Sequence, residues 1–176
     1  VGAGTFKPVK TQTVNDHHMH AEKIVVSKSC IENLLDENKF GKIIAAGTTA
    51  ARTLESIYWW GVMLLQNDTN ENFHLNQWYP YQQKKSFSRK ESLSALLKYL
   101  NQKNITQIEG STQLIIVPGY EFKMIQGLIT NFHQPKSTLL LLVAALVGSD
   151  WKKIYDYALA NHFRFLSYGD GNLLIP

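Results

Sequence analysis

The densest group of titratable side chains is His17-His18-Met19-His20-Ala21-Glu22. In extended backbone His18, His20 and Glu22 fall on one face, because side chains alternate with a period of two. His-x-His followed by a carboxylate is a metal-ligand spacing, and equally a set for acid–base chemistry or substrate hydrogen bonding. The remaining histidines, His74, His133 and His162, are scattered. A barrel hydrolase built on His-x-His needs about 250 residues, and this chain has 176. No metal is therefore expected. Arg52 and Glu55 are spaced to pair along one helix, with a ligand-facing role as the alternative. Cys30 falls inside an amphipathic pattern and is expected in the core rather than as a nucleophile. Gly2-Ala3-Gly4 lacks the third glycine of a dinucleotide loop, and Pro8 stops a helix from continuing through it. No phosphate-binding loop or nucleophile elbow occurs.

These side chains need elements to hold them. Residues 21–26 read as a strand, followed by a helix with capping-box spacing at Ser29 and Glu32 and a stop at Gly41. Residues 42–46 form a short apolar strand, and Thr48 or Thr49 then caps a helix burying Ala50, Leu54, Ile57 and Tyr58. Strand, helix, strand, helix within so short a stretch predicts a parallel βαβ unit. Residues 66–87 break the rhythm as a polar surface insertion interrupted by Trp78, Tyr79, Pro80 and Tyr81, whose aromatics either tuck against the body or form a contact site. Ser88 and Glu91 open another capped helix carrying Leu93, Leu96, Leu97 and Leu100. Strands follow at 112–117 and 127–130. Ser137 caps an all-apolar helix through Val147, expected to be the most buried. A helix at 150–162 and a last strand at 163–167 complete the order. Three polar turns, 47–49, 131–137 and 168–172, fall at strand ends, where open α/β sheets place their ligand crevices. The expected fold class is α/β, an open and mainly parallel twisted sheet flanked by helices.

Composition narrows the class. Hydrophobic residues make up 44% and charged residues 18% of the chain, enough for one domain with its own core and no staple. One cysteine cannot make an internal disulfide and fits a reducing, cytoplasmic setting. The longest apolar run, 139–147, is far short of the roughly 20 residues of a membrane span, so no membrane partner is expected. A net charge of +4 permits a nucleic-acid partner without requiring one.

Six motifs then occur in order: Gly-Ala-Gly-Thr-Phe-x-Pro (2–8), His-Met-His-x-Glu (18–22), Gly-Thr-Thr-x-x-Arg-Thr-Leu-Glu (47–55), Pro-Gly-Tyr-Glu-Phe (118–122), Thr-Asn-Phe-His-x-Pro-x-Ser-Thr-Leu-Leu (130–140) and Ser-Tyr-Gly-Asp (167–170). Together they resemble the S-adenosylmethionine:tRNA ribosyltransferase-isomerase family of queuosine biosynthesis. The chain departs from the family pattern at Gln126, Gln134 and Gly171-Asn172. Family chains are longer and Val1 falls inside a motif, so the resemblance implies a carboxy-terminal α/β part of a two-domain enzyme. The family's separate β-barrel domain is expected in the amino-terminal portion.

The resemblance implies a reaction: the ribosyl part of S-adenosylmethionine moves to 7-aminomethyl-7-deazaguanine at the tRNA wobble position and is isomerised. The product is epoxyqueuosine-tRNA, with release of adenine and methionine, and S-adenosylmethionine is a consumed substrate. The implied acid–base candidates are His18, His20, Glu22 and His133, with the base left open among them. Arg52, Lys136 and Arg164 are implied for phosphate or the methionine carboxylate, Phe132 and Tyr168 for stacking, and Thr48, Thr49, Asn131 and Asp170 for substrate contacts. The partner implied is tRNA carrying the modified wobble base. A full-length monomer is expected, with self-association of the shorter chain through an apolar patch. The alternative is a non-catalytic tRNA- or nucleotide-binding module that keeps the scaffold.

Overall fold

The computed structural model describes residues 14, 16–36, 41–68 and 73–176. The motif at 2–8 lies outside those residues; the helix expected to stop at Gly41 ends earlier, at Leu35, with Asp36 as its C-cap. The structure is mixed α/β, as expected, but its strands form two three-stranded sheets. In the first, β1 (Glu22–Ser27) pairs antiparallel with β4 (Gln107–Thr112), which pairs in parallel with β3 (His74–Leu75). In the second, β2 (Ile44–Ala46) runs parallel to β5 (Gly127–Asn131), and β5 pairs antiparallel with β6 (Gly171–Leu174). The expectation of a mainly parallel sheet is therefore corrected: parallel and antiparallel pairings are equally represented. For β6 the cause lies at the end of the chain. Residues 163–167, expected as a strand, form a tight turn in which Arg164 N–H donates to Asp170 Oδ2 at 2.7 Å and Gly169 N–H to the Leu166 carbonyl at 2.9 Å. The turn reverses the chain, and β6 enters antiparallel.

One helix joins the two sheets. Helix α2 (Thr48–Gln66) packs against β2 and β5 of the second sheet and β3 and β4 of the first. It is buried almost continuously from Ala51 to Met63. Helix α5 (Thr138–Val147) is buried to a like degree, as its apolar run leads one to expect: Leu141, Ala145 and Val147 are half-buried and no residue of it is exposed. Helix α4 (Arg89–Lys103) lies across α2 and α1 (Lys28–Leu35), with the Ser88–Glu91 capping box formed as read. Its approach to α2 is so close that a methyl group at Gly61 would overlap the Ser92 carbonyl and hydroxyl. Ser92 Oγ donates to the Tyr58 carbonyl at 2.5 Å, which seals the contact.

Several local expectations shift. Helix α1 is capped by Ser27, whose Oγ accepts from Cys30 N–H at 3.2 Å, while Ser29 bonds the Ser27 hydroxyl instead. With that register Ile31 takes the core position and Cys30 is exposed, which corrects its core assignment. Gly47, at φ +90°, is the N-cap of α2, so neither Thr48 nor Thr49 caps it. Leu114, Ile115 and Ile116 are buried without being strand. Part of their cover comes from the 66–87 stretch, where Tyr81 Oη donates to the Ile115 carbonyl at 3.0 Å and accepts from Val117 N–H at 3.1 Å. That stretch also contributes β3, the short helix α3 (Tyr79–Gln82) and the buried Phe73, Leu75, Tyr79 and Pro80.

The second sheet has one bare face. Ala45, Leu128 and Leu174 point inward, while Ile44, Ile129 and Leu173 are exposed, and Ile129 lies directly between Ala46 and Leu173 in register. Ile44 and Ile175 meet over Gly127, making this apolar face continuous. No helix among the described residues is long and apolar enough to cross a membrane.

Candidate active site

The parallel pairing of β2 with β5 brings the ends of both strands to one edge. Gly47 N–H donates to the Ile129 carbonyl at 2.8 Å, and Asn131 faces Gly171 across the ladder. The three polar turns that open with Gly47, follow Asn131 and precede β6 thus gather at one end of the second sheet. Thr48 and Thr49 begin α2 there, half-buried. Asn131 Nδ2 donates to the carbonyls of Gly169 and Asp170 at 3.2 and 3.4 Å, tying two of the turns together. Lys136 sits exposed with φ +56° in the turn after β5. Arg164 and Asp170 close the last turn with an exposed ion pair of 3.3 Å, and the Arg164 backbone and guanidinium hold the Asp170 carboxyl below its ordinary value. Tyr168 stands at the tip, 96% exposed. Beside it Leu166 takes φ +69°, a conformation an L side chain rarely adopts, and strain of this kind collects at functional loops.

His133 is buried at this end. Its Nε2 lies 2.9 Å from Thr130 Oγ1, and its N–H donates to Tyr155 Oη at 2.9 Å. Burial pulls the imidazole down from 6.5 to about 4, because a charged ring would lose its water without gaining a counter-ion. At neutral pH His133 is uncharged, a hydrogen-bonding group rather than a strong base. Phe132 corrects an expectation. It is 3% exposed and enclosed by Tyr155, Phe163 and Phe165 at centroid distances of 5.3 to 5.6 Å. No base can stack on it without displacing those rings, and its role is to anchor the turn.

The second group lies where β1 meets α2. Arg52, expected to pair with Glu55, instead donates from Nη1 to Glu22 Oε1 at 2.9 Å and from Nε to the Leu114 carbonyl at 3.0 Å. Its Nη2 is buried with no partner among the described residues. A guanidinium held on two sides with a third, buried donor unpaired has the chemistry to take a carboxylate or phosphate oxygen. Burial pulls the guanidinium's proton affinity down and Glu22 restores part of it. His18 and His20 are exposed in the segment leading into β1. That segment is fixed through its backbone: Met19 N–H donates to Gln77 Oε1 at 2.9 Å, and Gln113 Nε2 donates to the Met19 carbonyl at 2.9 Å. Burial, then the neighbouring His18 and His20, lower His17. Among the described residues no group of three or more His, Cys, Asp or Glu is arranged to hold a metal. No hydrogen bond among them joins His133 to Arg52, Glu22, His18 or His20. The structure thus pairs Glu22 with Arg52 and holds His133 with Thr130 and Tyr155 at the sheet end.

Sequence reasoning missed the partner of Glu55. Glu55 is fully buried. Its Oε1 accepts from Met124 and Ile125 N–H at 2.9 and 3.1 Å, and its Oε2 from Lys123 N–H at 2.9 Å and Tyr120 Oη at 2.8 Å. Burial pushes the carboxyl up and these four donors pull it back. Trp59 Nε1 donates in turn to Tyr120 Oη at 2.8 Å. The signal was present: a carboxylate in the apolar middle of a helix must find donors outside it, and the turn after Pro118-Gly119 offers free backbone N–H groups.

The chain as a whole is similar to known proteins. The chain matches the family described as queuosine biosynthesis protein over residues 1–174. It is 38% identical over 178 residues to the S-adenosylmethionine:tRNA ribosyltransferase-isomerase of Novosphingobium aromaticivorans, covering 100% of this chain and 40% of that protein. It is 35% identical over 177 residues to the protein of the same name from Halothermothrix orenii, covering 99% and 40%. The crystal structure of S-adenosylmethionine tRNA ribosyltransferase from Thermotoga maritima superposes with a TM-score of 0.57 at 30% identity, covering 87% of this chain and 40% of that one. The chain therefore spans about 40% of the length of the curated relatives it matches. From its motifs, its fold and this likeness, the chain belongs to the queuosine biosynthesis protein family.

Proposed function

We propose that this chain supplies the α/β part of an S-adenosylmethionine:tRNA ribosyltransferase-isomerase. In this reading it acts on tRNA carrying 7-aminomethyl-7-deazaguanine at the wobble position and yields epoxyqueuosine-tRNA, adenine and methionine. The observation that carries the reading is Arg52, buried, held by Glu22 and Leu114, with one donor still unpaired. That donor suits the methionine carboxylate or a phosphate oxygen.

The chemistry needs few groups. The sulfonium acidifies the adjacent 5′ carbon, and a positioned base takes that proton. His18 and His20, exposed and next to the Glu22–Arg52 pair, serve for proton transfer, with Glu22 holding the guanidinium in place. His133 stays uncharged and acts as a hydrogen-bonding partner to substrate or to Thr130. Tyr168 offers an open ring for an unstacked base, as single-stranded RNA bases are commonly held. Lys136 and Arg164 flank it for the phosphates, while Thr48, Thr49, Asn131 and Asp170 line the same sheet end. The bonds from ribose to adenine and from ribose to sulfur both break; the aminomethyl nitrogen gives up a proton and gains a sugar carbon, and the freed 5′ carbon is rebonded within the sugar as the epoxycyclopentanediol closes. Adenine leaves with one proton, methionine leaves as the neutral thioether, and the other proton goes to solvent.

The test is adenine release from S-adenosylmethionine by the full-length protein, with and without tRNA carrying the aminomethyl base. Release that requires the modified tRNA supports the proposal. Tight tRNA binding with no adenine release, at any substrate level, would replace it with the non-catalytic binding module.

A further inference from the structure

The aromatic stretch after β3 leaves one feature that the proposed reaction does not use. Between it and the turn after Pro118 lies an open cavity of about 330 Å³, within the range of small-ligand clefts. Its apolar walls are Trp59, Tyr81 and Tyr120, and its rim carries Lys84, Lys85 and Lys123. The rings are fixed at their polar ends. Tyr81 Oη is held by Ile115 and Val117, and Tyr120 Oη by Glu55 and Trp59. The Tyr81 and Tyr120 rings meet at 6.0 Å and 61°, and Tyr81 remains 39% exposed. Lys123 is paired with Glu121 at 2.8 Å. Lys84 and Lys85 are exposed and make no ion pair among the described residues. Three lysines against one glutamate leave the lining two charges positive.

Rigid rings beneath unpaired cations fit a planar group that carries a phosphate. We propose that this cavity binds an unpaired nucleotide of RNA, its base against Tyr81 and its phosphates on Lys84 and Lys85. The inference rests on tRNA being the partner of the proposed reaction. The subsite is distinct from Arg52: Trp59 lies seven residues further along α2, about 10 Å of helix rise. The nucleotide it takes therefore flanks the reacting one. Stacking on an aromatic side chain is tolerant of base identity, so the subsite adds affinity and register rather than sequence choice.

Fluorescence anisotropy of the full chain with labelled heptauridine and with an unmodified anticodon stem-loop RNA tests this. K84A/K85A, confined to exposed side chains, is expected to weaken both probes and to lower the log–log salt slope by about 1.4, two phosphates at about 0.7 each. Tyr81→Ala is expected to weaken heptauridine about five- to hundredfold, while Tyr81→Phe, which keeps the ring, stays near wild type. Unchanged affinity and slope in K84A/K85A overturn the proposal. So does displacement of heptauridine by inorganic phosphate or polyglutamate at equal concentration, which would make the cavity a plain anion site or an acidic-peptide site. Adenine release separates the two readings. If K84A/K85A raises the KM for tRNA and leaves the KM for S-adenosylmethionine unchanged, both stand. If release occurs with an unchanged KM for tRNA, the subsite alone falls. If no release occurs yet the variants weaken RNA, the reaction alone falls.

Discussion

Replacing Glu55 by Gln keeps shape and volume but removes the charge and changes which atoms accept. In its best orientation the amide oxygen faces Met124 and Ile125, and its NH₂ faces Tyr120 and Lys123. Tyr120 can turn its hydroxyl and accept, but Lys123 N–H then meets another donor and is left unpaired. An orphaned buried N–H costs about 1–3 kcal/mol. The two bonds that survive change from charge-assisted to neutral and lose about half their strength, roughly 1 kcal/mol each. Removing a buried charge returns part of this, since burial is the largest influence on the Glu55 carboxyl. The net expectation is a destabilisation of about 2–3 kcal/mol. With an m value of about 2 kcal/mol/M, the urea midpoint by far-ultraviolet circular dichroism drops about 1 M at unchanged m. Glu55→Ala, which orphans all four donors and leaves a cavity, is expected to cost more. A Glu55→Gln midpoint within experimental scatter of wild type would refute the described pairing. A raised midpoint would mean that the cost of burying the charge exceeds the value of its four bonds.

Three further outcomes follow. Gly61→Ala forces α2 away from Ser92, and overpacking of this kind costs about 1–3 kcal/mol; a thermal midpoint unchanged from wild type contradicts the close approach. His133 stays neutral when folded down to about pH 4, whereas the unfolded ring takes a proton near 6.5. Stability is therefore lost as pH falls from about 6.5 towards 4, by at most about 2 kcal/mol between pH 7 and 5, and His133→Asn flattens the urea midpoint over that range; an equally steep profile in the variant assigns the loss elsewhere. The bare face of Ile44, Ile129 and Leu173 is expected to drive concentration-dependent association of the chain, which Ile129→Lys abolishes in sedimentation equilibrium; a wild-type monomer at high concentration contradicts this.

What could be read in the sequence depended on whether the cause was local. The Ser88–Glu91 capping box, the Ser137 cap and hydrophobic spacing placed α4 and α5 well, because Ser88, Glu91 and Ser137 act on N–H groups three residues away. The turn at Pro118-Gly119 was legible for the same reason. The sheet pairing was not. Whether residues 114–116 pair in a ladder or lie buried beneath Tyr81 depends on a segment more than 30 positions distant. Period and propensity are blind to that. The site divided along the same line. The first two polar turns meet at one sheet end because β2 and β5 run parallel; the third joins them for another reason, since residues 163–167 are not strand and the turn leads into antiparallel β6. The partners of Arg52 and Glu55 did not follow from their spacing, because each finds a better partner across the fold than three residues along its own helix. Phe132 lies in a polar motif yet is buried, since a turn between exposed charges still needs an apolar anchor.

The central claim concerns which part of S-adenosylmethionine is transferred and whether Arg52 positions it. The most direct measurement uses S-adenosylmethionine labelled in the ribose and, separately, in the methyl group, with the full-length protein and tRNA carrying the aminomethyl base. The account predicts that ribose label enters the tRNA in step with adenine and methionine release. It also predicts that methyl label leaves with methionine, and that Arg52→Lys, which loses the fork between Glu22 and Leu114, reduces transfer while other tRNA contacts persist. Methyl label in the tRNA, or ribose transfer at the wild-type rate in Arg52→Lys, would contradict it.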